Sequence, residues 1–157
     1  MSVDESAFRK AMGCFASGVT VVTACTAEGQ PVGLTVSAFS SVSLRPPLVL
    51  ICLGDRTSNL ESFRRGPFAV NILAESQRDI STRFAEKRDD RFDGISHAPG
   101  ENGAPVLAGC LATVECDVHD VFTVGDHDII VGAVTRVSGP EEAGPLVHCR
   151  GQYAGLA

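Results

Sequence analysis

The constraint that most limits the fold of this chain is a series of strand-length apolar runs, each closed by turn chemistry. Val19 to Thr26, Val32 to Val36, Leu48 to Leu53, Phe68 to Leu73, Leu111 to His119, His127 to Val137 and Leu146 to Cys149 are β-branched-rich or alternating, the pattern of strands. Between the first two, Glu28-Gly29-Gln30-Pro31 supplies a turn and makes a hairpin. Over Leu111 to His119, Val114, Cys116 and Val118 alternate with Thr113, Glu115, Asp117 and His119, as a half-buried strand does. About seven strands at hairpin-like spacing predict a mainly-β, antiparallel barrel rather than a doubly wound sheet. No Gly-x-Gly-x-x-Gly follows a strand and no Walker sequence occurs, which excludes the usual nucleotide sites of parallel sheets.

The helices are short and peripheral. Phe8, Ala11, Met12 and Phe15 recur at helical spacing over residues 4 to 14, with Asp4 as cap and Gly18 as stop. Ser58-Asn59-Leu60-Glu61 has the capping-box pattern for a helix to about Arg65, and Ser76 with Asp79 opens another running to Phe84. The charge run Glu86 to Arg91 cancels to zero and reads as a solvated loop, and Pro99 to Gly103 as a turn.

At 157 residues the chain makes one domain, 1–157, with no internal repeat or linker. With 44% hydrophobic and 20% charged residues and a mean hydropathy of +0.14, it carries apolar surface for a second subunit to cover, so a homodimer is expected. A net charge of −6 and a pI near 5.1, without a basic stripe, argue against nucleic acid and anionic membrane as partners. The N-terminus is polar and acidic, and no apolar run approaches a membrane span, so a cytoplasmic protein is expected. Six cysteines occur without a Cys-x-x-Cys pair, and the four histidines show no ligand spacing with them. Reduced thiols and no metal are the reading.

The segment most suited to a ligand is Gly33-Leu34-Thr35-Val36-Ser37-Ala38-Phe39-Ser40-Ser41-Val42-Ser43, followed by Pro46-Pro47 and Leu48 to Leu53. Its small side chains along extended backbone let a flat polar ring approach the main-chain amides, although Ser and Thr at an ordinary strand end would look the same. Together with Phe15-Ala16-Ser17-Gly18-Val19-Thr20-Val21-Val22-Thr23, Phe68-Ala69-Val70-Asn71-Ile72-Leu73, Arg83-Phe84-Ala85, Asp90-Arg91-Phe92, Gly125-Asp126-His127 and Pro145-Leu146, this segment resembles the flavin reductases of two-component monooxygenases. The resemblance spans roughly residues 8 to 155.

That resemblance implies an FMN-binding split β-barrel of Greek-key type with short peripheral helices, a homodimer, and flavin held near the subunit interface. It implies an NAD(P)H:flavin oxidoreductase that reduces FMN, or FAD, with NADH or NADPH and supplies reduced flavin to a partner monooxygenase. The alternative is a flavin-binding or carrier protein on the same barrel without turnover. Carried onto this sequence, the ring would meet Thr35, Val36, Ser37 and Ala38, and the ring or ribityl chain would pass Cys52 and Leu53. Ser58 and Asn59 would offer a helix start to phosphate, and Phe84, Ala85 and Lys87 would lie by phosphate and ring, with Lys87 as charge partner. His127, in Gly125-Asp126-His127, would orient the nicotinamide rather than act as a base. A core role for Cys52 and a solvated Lys87 are the plainer readings of those two residues. No clear basic pair for a 2′-phosphate is evident, which favours NADH.

Overall fold

In the computed structural model, which describes residues 2–157, strands dominate and the helices are short. In chain order the elements are α1 (Glu5–Gly13), β1 (Ser17–Gly18), β2 (Thr20–Cys25), β3 (Pro31–Val36), β4 (Phe39–Leu44), β5 (Pro47–Gly54), α2 (Leu60–Arg65), β6 (Phe68–Ile72), a 3-10 turn (Glu75–Gln77) and α3 (Arg78–Ala85). There follow β7 (His97–Pro99), β8 (Pro105–Leu107), β9 (Ala112–Val124), β10 (His127–Ser138), β11 (Val147–Cys149) and β12 (Gln152–Ala154).

Seven of these strands form one sheet in the order β3-β2-β6-β9-β10-β5-β4, and every ladder in it is antiparallel. Val36, Val22, Phe68, Cys116, Ile130 and Ile51, with the half-buried Phe39, place side chains from all seven strands in a single core cluster, closed by Phe63 of α2. A sheet whose two edge strands share one core must curl around it. No ladder joins β3 to β4, so the curl stays open. The segment Gly33 to Ser43 is therefore not one extended stretch. It breaks at Ser37-Ala38, with β3 on one edge of the sheet and β4 on the other.

Close packing at the centre depends on a glycine. A Cβ on Gly132 of β10 would lie 2.6 Å from the Phe68 ring and 2.8 Å from Cys116 Cβ, below any real contact. Beside this core, buried polar groups are fully bonded. Asn71 donates to the Val21 carbonyl at 2.9 Å and to Thr23 Oγ1 at 3.1 Å, and accepts from the Leu107 amide at 2.9 Å. It thereby fastens β8 to the sheet.

Several local expectations change. Helix α1 does begin at its Asp4 cap, whose carboxylate accepts from the Ala7 amide at 2.8 Å. It ends at Gly13, however, and Gly18 instead pairs with Val147 in a small β1-β11-β12 sheet. The expected capping box at Ser58 does not form. Asn59 takes a left-handed conformation with φ of 58°, so the helix starts one residue later with no side-chain cap. Glu61 turns instead to Arg64 and Arg65. Nor does Ser76 cap the third helix: Gln77 Oε1 accepts from the Ala74 amide at 3.0 Å, and a 3-10 turn leads into α3.

Candidate flavin site

The seam between the sheet edges and the chain that follows β5 build the candidate site. At the seam, Cys52 donates its amide to the Ala38 carbonyl at 3.0 Å and Phe39 donates to the Ser37 carbonyl at 3.0 Å. The amides of Ser37 and Ala38 have no main-chain acceptor among the described residues, and both residues are exposed. They are donors available to a ligand. Thr35 is committed elsewhere, its hydroxyl donating to the Ser81 carbonyl of α3 at 2.6 Å. The Val36 side chain is buried, and its carbonyl accepts from the Thr20 hydroxyl at 2.6 Å.

From β5 the segment Gly54 to Asn59 runs between two depressions. One, of about 280 Å³, is lined by Gly33, Ser58, Asn59, Lys87, Arg88 and Arg91 among others. Lys87 thus comes together with the adjacent pair Ser58 and Asn59, all three singled out in the sequence, across one long gap in the chain. The other, of about 530 Å³, is lined by Gly54, Asp55, Arg56, Thr57, Asp126 and His127, with Glu5 and Arg9 of α1. His127 is 52% exposed here, and its Nδ1 lies 2.7 Å from Asp126 Oδ1. This hydrogen bond holds the Asp126 carboxyl below the usual carboxylate range. It also orients the ring, because a carboxylate acceptor fixes the proton on Nδ1 and leaves Nε2 for another partner. A Cβ on Gly54, opposite in the ladder, would sit 3.7 Å from that Nε2.

The Glu86-to-Arg91 run is a solvated loop, as its charges suggest, with Glu86 to Asp90 exposed, and it is held in place by arginine hydrogen bonds. Arg83 of α3 donates to the carbonyls of Arg91, Asp90 and Asp93, each at 2.8 Å. Arg91 donates to the Glu86 carbonyl at 2.9 Å and to the Gly33 carbonyl of β3 at 2.8 Å, which fastens the loop against the sheet edge. Arg88 pairs with Asp90 at 2.6 Å and Glu86 at 3.2 Å, and its hydrogen bond holds the Asp90 carboxyl at about 2. Lys87 takes part in none of these pairs and is exposed at the first depression. Arg83 and Arg91 are the positioning residues that charge counting missed, since their partners are carbonyls rather than carboxylates.

Other singled-out residues lie outside both depressions. Leu53 is 2% and Phe84 0% exposed, so their side chains support the site from the core. The Phe84 ring packs edge-on to Phe92 at 5.0 Å and under Gly33, whose Cβ would lie 3.0 Å from it. Ala85 ends α3, exposed and next to the Arg-held loop. Cys52 is half-buried on the outer face of β5, with burial pushing its thiol up. No cluster of three or more potential metal ligands occurs among the described residues.

Residues 12–157 match a family model described as "Flavin reductase like domain". The chain belongs to this family. It is 44% identical over 151 residues to the "Probable flavin reductase" of Rhizobium meliloti, covering 96% of this chain and 48% of that protein. It is 38% identical over 157 residues to the "Flavin-dependent monooxygenase, reductase subunit HsaB" of Mycobacterium tuberculosis, covering 98% and 83%. The chain thus spans about half the length of the Rhizobium relative and most of the mycobacterial one. Among solved structures, the Streptomyces globisporus C-1027 NADH:FAD oxidoreductase SgcE6, in complex with NAD and FAD fragments, superposes with a TM-score of 0.92 at 35% identity. That match covers 98% of this chain and 93% of the other.

Proposed function

We propose that this protein is an NAD(P)H:flavin oxidoreductase whose open sheet is a split barrel of Greek-key type. The observation that carries the reading is that one six-residue segment, Gly54 to Asn59, borders both the Ser58–Asn59–Lys87 notch and the His127 depression. A flavin ring and a nicotinamide must meet face to face for hydride transfer, so the nicotinamide site must lie within reach of the ring of a flavin whose phosphate is held in the notch. The donor set fits the flavin: free amides at Ser37 and Ala38 suit a ring edge, and the Lys87 ammonium with the Ser58 hydroxyl suits a phosphate. When bound, the flavin supplies the two-electron chemistry. The protein's part is to hold the ring at the seam, neutralise the phosphate, and present His127 Nε2 to the dinucleotide.

FMN is the flavin proposed, with FAD accommodated if its adenine half contacts little, and NADH is the favoured reductant. Reduced flavin would pass to a separate monooxygenase, the association that the name of the mycobacterial relative carries. A second copy of the chain would cover the outer face of the sheet. There the cross-strand row Phe122–Ile129–Cys52, with Val131, Leu50, Ala133 and Leu48 beside it, forms an apolar patch of exposed and half-buried side chains, rimmed by Asp120 opposite Val131 and Asp117 opposite Ala133. Absorbance-monitored NADH oxidation, with and without added FMN, tests the activity. Turnover that depends on FMN is expected; NADH left unconsumed while FMN binds saturably would reassign the protein as a flavin carrier.

A further inference from the structure

Six free cysteines differ sharply in surroundings. Cys110 and Cys116 are buried, and desolvation pushes the Cys116 thiol up to about 12 and the Cys110 thiol in the same direction. Those thiols are inert. Cys25 stands apart, its Sγ against the Gly103 carbonyl at 3.6 Å.

Cys14 and Cys149, 135 residues apart, are neighbours in space. The Arg150 amide donates to the Gly13 carbonyl at 2.7 Å. Cys14 Cα and Cys149 Cα are each one peptide link from the two bonded atoms, so standard backbone dimensions keep them within roughly 8 Å of one another. A disulfide spans about 4.4–6.8 Å between Cα atoms. Cys149 Sγ already lies 3.9 Å from the carbonyl oxygen of Cys14 and 3.8 Å from that of Gly13. The Cys14 thiol turns back to the Lys10 carbonyl at 3.4 Å, so closing a disulfide requires it to leave that contact for another rotamer. Cys14 is exposed and Cys149 half-buried, so both can be reached by a small oxidant. Six residues beyond Phe8 on a helix repeating every 3.6 residues, Cys14 also lies well off the Phe8–Met12 stripe.

We propose that Cys14 and Cys149 are a peroxide-sensitive pair that closes to an intrachain disulfide, fastening the end of α1 to β11. The source of the oxidant rests on the reductase reading: reduced flavin that meets oxygen instead of an oxygenase returns to the oxidised state and yields hydrogen peroxide. One thiolate attacks a peroxide oxygen, breaking the O–O bond to give a sulfenic acid and hydroxide, which is protonated to water. The second thiolate attacks the sulfenic sulfur, forming the S–S bond and expelling the hydroxyl group, which leaves as water. Two thiols are oxidised by two electrons in all and one peroxide is reduced to two waters. The crosslink would fix α1, which carries Glu5 and Arg9 at the rim of the His127 depression.

The test exposes reduced protein to one equivalent of hydrogen peroxide under native conditions, followed by intact and tandem mass spectrometry. The expected result is a loss of about 2 Da, a link located at Cys14–Cys149, and reversal by a phosphine reductant. Cys14→Ser and Cys149→Ser should each abolish the link while keeping flavin-dependent NADH oxidation in the presence of catalase. A second arm replaces added peroxide with NADH, FMN and air, where the same link should form and catalase should suppress it. Free thiols after added peroxide, oxidation of Cys14 to sulfinic acid, or a link between chains would overturn the proposal. Absence of NADH consumption in the second arm, with the link still formed by added peroxide, would instead count against the reductase reading.

Discussion

Single residues at the site divide into groups exposed to a ligand and groups that hold them in place. His127 is exposed in the second depression with its ring oriented by Asp126, so His127→Ala should raise KM for NADH several-fold and leave flavin affinity nearly unchanged. Parallel loss of both, in steady-state kinetics and fluorescence titration, would make the residue structural. Lys87→Ala should weaken FMN binding by about 1 kcal/mol, roughly fivefold, and flatten its salt dependence. An unaltered dissociation constant removes Lys87 from the phosphate site. Asp90 gives a pH signature. Its carboxyl is held at about 2 against an ordinary 3.8 by the Arg88 hydrogen bond, so the pair is intact above pH 3.8 and is lost as pH falls through about 2. Carbon-13 NMR should follow that titration, and Arg88→Ala should move it back towards the ordinary value.

Among elements, the strongest constraint lies where β10 crosses β6 and β9. Gly132→Ala would drive a methyl group into the Phe68 ring and Cys116, and should cost about 1–3 kcal/mol, seen as a fall of several degrees in Tm. An unshifted melting curve would show that the strands move apart freely. Strand existence was legible from β-branched runs and alternation, because those patterns reflect local burial. The splitting of Gly33 to Ser43 between two sheet edges was not, because strand partners are set by contacts distant in sequence. The same limit applied to Ser58, where one left-handed residue, Asn59, moved the helix start. In the Glu86-to-Arg91 loop, counting charges gives the solvation that is observed and misses the anchoring, because Arg83 and Arg91 spend their donors on backbone carbonyls.

For the whole molecule, an open sheet curled on one core leaves its outer face apolar around Phe122, Ile129 and Val131. The second copy proposed to cover that face would account for the high mean hydropathy, and on that proposal Ile129→Asp should convert a dimer to monomer in sedimentation velocity. A wild-type chain that sediments as a monomer would sink that assignment. Ser58, Asn59 and Lys87, proposed for phosphate, and His127, proposed for nicotinamide, line depressions at the two ends of Gly54 to Asn59, while the side chains of Leu53 and Phe84 are buried in the core. Residue types alone could not distinguish those roles, since a buried strand and a ring-facing strand use the same small and apolar side chains.

The most direct measurement of the central claim is anaerobic rapid mixing of the protein and stoichiometric FMN with NADH, following the flavin absorption band. The band should bleach in step with NADH loss, faster with wild type than with His127→Ala and far faster than with free FMN. A band that persists while FMN is demonstrably bound would contradict it, and would leave a flavin-binding protein that does not reduce its ligand.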